Sequence, residues 1–115
     1  MIYLLLGEDS LAKDQKIAEL KTKTLRSTEA VKFDYVVLHA AKLDAPEFKK
    51  VLFELPAVAD QRLIVLRTLQ KLSAPNKKIF LEFMDQDPSH AVVVLDSDET
   101  AGKDDFFNPW LFWFG

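Results

Sequence analysis

The sequence predicts an α/β fold in three layers: a mostly parallel sheet with helices on both faces. Two observations carry this. Four short, nearly continuous apolar runs recur along the chain, each suited to a strand buried on both faces. Helical patterns with start and stop signals fall between them, and strands alternating with helices call for a parallel sheet.

The first strand is Ile2 to Leu6, ended by Gly7. Asp9 or Ser10 is positioned to cap a helix from about Leu11 to Leu25. Its apolar side is expected to hold Leu11, Ile17, Ala18, Leu20 and Leu25, with Lys13, Lys16, Lys21 and Lys23 mostly solvated. Residues 27–29 read as a loop and Val31 to Leu38 as the second strand. Asp44-Ala45-Pro46-Glu47 starts the next helix, with proline in its first turn. Phe48, Val51, Leu52 and Leu55 lie at i, i+3, i+4 and i+7 on one face, and Pro56 stops the helix. Leu63 to Leu66 is the third strand. Ser73-Ala74-Pro75 opens a third helix carrying Ile79, Phe80 and Phe83 inward. Asp87-Pro88 is a turn, and Ala91 to Leu95 is the fourth strand. Residues 1–99 thus form one α/β domain. Residues 100–115 break the rhythm as an atypical aromatic tail, a truncated continuation of the domain or a partner-binding segment.

A chain of 115 residues suffices for one core, and its apolar fraction of 49% and charged fraction of 29% are ordinary for a globular protein. No cysteine is present, which excludes disulfides and thiolate metal sites and suggests a reducing cytoplasm. The two histidines, His39 and His90, read as ordinary loop or turn residues, and no metal site is expected. A net charge of −3 argues against a dedicated nucleic-acid binder. No apolar run reaches the roughly 20 residues of a membrane span.

A strand that ends in glycine and leads into a helix is where an ATPase would hold phosphate, with the pattern G-x-x-x-x-G-K-[ST]. Gly7 falls on the first glycine and Lys13 on the lysine. Ala12 replaces the second glycine and Asp14 the hydroxyl that would hold magnesium. Glu8, Asp9 and Asp14 would repel polyphosphate. The third strand leads into Arg67-Thr68 rather than an acid. Asp96, Ser97, Asp98 and Glu99 follow the fourth strand and read as a solvated turn. The pattern is a P-loop-like core with a degenerate nucleotide site, no catalytic residue and no cofactor.

The ordered set resembles the N-terminal domain of the delta subunit of the bacterial DNA polymerase III clamp loader, whose core is of the AAA+ type. The resemblance rests on Tyr3-Leu4-Leu5-Leu6-Gly7-Glu8-Asp9-Ser10, on residues 55–67 (Leu-Pro-Ala-Val-Ala-Asp-Gln-Arg-Leu-Ile-Val-Leu-Arg), and on Ala91-Val92-Val93-Val94-Leu95. It implies a non-hydrolysing subunit that binds the sliding clamp and helps to open it for loading on DNA during replication. Other loader subunits would join through C-terminal regions not evident here, and DNA would be contacted only indirectly. In that family a hydrophobic plug follows the second helix, often leucine-proline and two phenylalanines. Leu55, Pro56, Ala57 and Val58 stand at that place, with Phe53 and Leu55 the nearest bulky substitutes for the missing phenylalanines. Two other functions fit the residues: a small nucleotide-binding ATPase or phosphotransferase, and an α/β interaction module outside replication.

Overall fold

The computed structural model describes residues 1–98. Four strands, β1 (Ile2–Leu6), β2 (Tyr35–His39), β3 (Arg62–Arg67) and β4 (Ala91–Ser97), form one sheet in the order β1-β4-β3-β2. Every adjacent pair is parallel. The helices are α1 (Ser10–Thr24), α2 (Thr28–Asp34), α3 (Ala45–Phe53) and α4 (Ala74–Asp85), with short 3-10 turns at Ala40–Lys42 and Leu69–Lys71. The aromatic tail and the boundary expected at residue 99 lie outside the described residues.

Side-chain alternation along the strands divides the core in two. Ile2, Leu4, Leu38, Ile64, Leu66, Val93 and Leu95 pack with Phe48 and Leu52 of α3 and Phe80 and Phe83 of α4. Leu63, Val65, Val92 and Val94 point the other way, onto Ile17 and Leu20 of α1 and Ala30 of α2. Phe48, Leu52, Phe80 and Phe83 are fully buried. The three-layer α/β fold expected from the sequence is therefore present.

The chain crosses from one sheet edge to the other through α1 and α2, then returns strand by strand through α3 and α4 on the opposite face. The reversed direction accounts for the change of face, because right-handed crossovers put the helices of opposite steps on opposite sides. Asp9, Ser27, Asp44 and Ser73 each accept a hydrogen bond from a first-turn amide and cap the four helices.

Three local readings differ. Residues 31–34 belong to α2, not to a strand that begins at Val31. The Ser27 cap starts the helix, and Ala30 and Asp34, four apart, are its buried residues. α3 ends at Phe53, so Leu55 lies beyond the helix and is 71% exposed. On α1 Leu11 is exposed and Lys13 is buried, the reverse of expectation. Gly7 has φ +105°, so the turn out of β1 requires glycine whatever binds there.

Candidate functional site

Among the described residues two places carry chemistry, at opposite ends of the strands. The first lies outside the C-terminal ends of β3 and β4, beside the start of α1. Open parallel sheets usually bind ligands at this end.

Alternation turns Asp96 and Arg67 toward α1, the same face as Val94 and Val65. Lys13 Nζ lies 2.7 Å from Asp96 Oδ1 and 3.1 Å from Asp98 Oδ1, and donates to the Ser97 carbonyl at 3.3 Å. Asp96 Oδ1 makes no well-angled hydrogen bond, so its tie to Lys13 is an ion pair. Arg67 donates to Asp96 Oδ2 at 2.9 Å and pairs with Asp14 Oδ1 at 3.0 Å. Burial pulls the Lys13 ammonium toward deprotonation, but close pairing with Asp96 and Asp98 outweighs it and holds its pKa above 10.5. Arg67 is raised in the same way: burial opposes it, and Asp96 and Asp14 prevail.

Asp96 and Ser97 are therefore buried members of this network and of β4, not a solvated turn. Gly7 and Ala12 contribute no side-chain polar group. Among the described residues two cations face three carboxylates here, a formal charge of one net negative. Among the described residues no cluster of histidines or carboxylates is arranged to hold a metal ion.

The second place is the segment 54–61, which joins α3 to β3 at the N-terminal end of the sheet. Pro56 is half-buried, and Leu55, Ala57 and Val58 are exposed. Phe53 packs inward, edge-on to Phe83 with ring centroids 5.5 Å apart. The segment is fastened at both roots. Arg62, almost fully buried, donates to the Val51 carbonyl at 2.9 Å and pairs with Glu54 at 3.3 Å. His90 Nε2 lies 2.8 Å from the Leu52 carbonyl, and its ring stands edge-on to Phe83. His90 thus stands in the turn before β4, as expected, and there it also packs and hydrogen-bonds.

Under the segment sits Asp34, the last residue of α2, with no exposed surface. Its carboxylate accepts from the amides of Ala57 at 2.6 Å, Val58 at 2.8 Å and Ala59 at 2.6 Å. Burial alone would raise its pKa. The three amides, with Arg62 nearby, overcome that and hold it below the usual 3.8. Sequence reading missed Asp34 and Arg62. The only available signal was an acid at the end of an apolar segment, too common to single out. Val58, Ala59, Asp60 and Gln61 also form one wall of an open groove of about 440 Å³, whose other walls include Lys23 and Arg26.

No protein-family model and no curated protein matches the chain. Solved structures do. The Bacillus subtilis DNA clamp loader delta protein superposes with a TM-score of 0.80 at 13% identity, over 95% of this chain and 35% of that one. The fold is that of clamp-loader subunits. A DNA polymerase III gamma subunit-related protein from Thermotoga maritima gives a TM-score of 0.64 at 16% identity, over 84% of this chain and 34% of the other. The chain spans about a third of the length of each. The resemblance read from the sequence and the fold likeness agree on the delta protein. Among the described residues no helix is long and apolar enough to cross a membrane.

Proposed function

We propose that this chain is the clamp-contacting domain of a delta-like clamp-loader subunit, and that segment 54–61 is its contact with the sliding clamp. One observation carries the reading. In a fold like that of the delta protein, Leu55 and Val58 stand 71% and 45% exposed on a segment whose backbone is hydrogen-bonded inward. Apolar side chains held out of the core mark an interaction site.

Leu55 and Val58 serve as the anchors, with Pro56 and Ala57 between them and Phe53 bracing the root from inside. Burying what these two side chains still expose yields about 2–3 kcal/mol. A micromolar complex needs about 8 kcal/mol. The groove beside Val58 extends the contact surface and supplies part of the remainder. Opening follows from differential binding: a domain that fits an opened ring better than a closed one shifts the ring toward open.

The other end of the sheet supports a role without catalysis. Lys13, at the place of a phosphate-handling lysine, is already neutralised by Asp96 and Asp98, and the cluster repels anions. The domain then works in the cytoplasm as one part of a larger loader and touches DNA only through its partners. Calorimetric titration of the sliding clamp from the same organism tests the reading. Binding that a change at Val58 abolishes supports it, and no binding by the folded chain sinks it.

A further inference from the structure

Asp34 occupies a place that is unfavourable twice over. It is a charge with no solvent exposure, and burying an unpaired carboxylate costs several kcal/mol. It is also the last residue of a helix, where the backbone dipole is negative and repels an acid. Neither cost serves α2, which is capped at its other end by Ser27. What Asp34 gains comes from 23 to 25 residues away: three consecutive amides that converge on its two oxygens. Consecutive N–H groups gathered on one anion fix the backbone around it.

Two of the three side chains face away from the core: Ala57 and Val58 are exposed, while Ala59 is half-buried against the core on the α1 face. The backbone of residues 57–59 is thus satisfied inside by the carboxylate, while Leu55 and Val58 stand exposed.

We propose that Asp34 is the positioning residue of the partner-binding segment: its buried carboxylate sets the backbone of residues 57–59 and so holds Val58, with Leu55 beside it, outward in the geometry the partner meets. This rests on the reading of segment 54–61 as the contact site. Its physical basis is preorganisation. A segment already fixed in its bound form loses little conformational entropy when the partner arrives.

The test uses the 115-residue chain and the sliding clamp of the same organism. Calorimetry compares the wild type, Asp34→Asn, Val58→Ala, the double variant, and Val58→Asp. Asparagine presents an NH2 group where one oxygen accepted, so at least one amide loses its partner. Asp34→Asn, assayed well below its melting temperature, is expected to bind at least tenfold more weakly. In the Val58→Ala background the same change is expected to cost less than threefold, because its effect passes through Val58. A purely structural Asp34 would leave the affinity of the folded variant unchanged, or cost as much in both backgrounds; either result overturns the proposal. If Asp34→Asn does not fold, amide exchange in the wild type decides. Protection at residues 57–59 before clamp is added supports a preset segment, and protection that appears only with clamp overturns it. Failure of the contact-site reading looks different: the wild type does not bind, or Val58→Asp binds as well as wild type, and the proposal falls with it.

Discussion

Replacing Asp96 by alanine removes the carboxylate shared by Lys13 and Arg67, which approach it at 2.7 and 2.9 Å. Lys13 is left with the exposed Asp98 and the Ser97 carbonyl, and Arg67 with the exposed Asp14. Breaking a buried pair by deleting one partner costs about 3–5 kcal/mol. The remaining partners of both cations reduce that to about 2–3 kcal/mol, since charge-assisted hydrogen bonds contribute about 1.5–3 kcal/mol each. Lys13→Met should cost less, because it leaves Asp96 paired with Arg67 and removes one charge instead of the carboxylate that two cations share. Urea unfolding followed by circular dichroism measures both. The midpoint should fall with an unchanged slope, and Asp96→Ala should fall further than Lys13→Met. A cost for Asp96→Ala below about 0.5 kcal/mol, the range of an exposed pair, would refute the reasoning.

Three further outcomes are expected. The Asp34 pKa is depressed in the fold, so its contribution to stability is fully present above pH 3.8 and is lost as pH falls through the lower folded value; acid unfolding below pH 3.8 should be shallower in Asp34→Asn than in wild type. Thr68 is a β-branched residue at φ 58°, so Thr68→Gly should stabilise by about 1 kcal/mol and raise Tm by roughly 4 °C, as a thermal melt would show. With Lys13 internally paired, millimolar ATP and magnesium should leave Tm unchanged, and a clear rise would contradict the account of that end of the sheet.

Most of the fold was legible because its signals are local. Buried strands announce themselves as apolar runs, and Asp9, Asp44 and Ser73 stand where caps must stand. α2 was not legible because Val31, Phe33 and Tyr35 alternate as a strand would, whereas its helical signals are only a Ser27 cap and the buried pair Ala30 and Asp34. Leu55 continued the helical period of α3 past the point where the helix ends, so it was placed on the apolar face of that helix. The site was half legible. The replacement of the phosphate-loop residues is written at Ala12 and Asp14, but the partner that neutralises Lys13 lies on β4, and only the sheet order brings it there. Asp34 was illegible for the same reason: its three amides are far along the chain, and nothing near residue 34 reveals them.

Calorimetric binding of this chain to the sliding clamp of its own organism, run beside a Val58→Asp variant confirmed as folded, tests the central claim most directly. Measurable binding by the wild type that the aspartate variant abolishes is the expected result, because a carboxylate at residue 58 cannot be buried unpaired in an apolar pocket. No binding by the folded wild type, or equal binding by both, would contradict it.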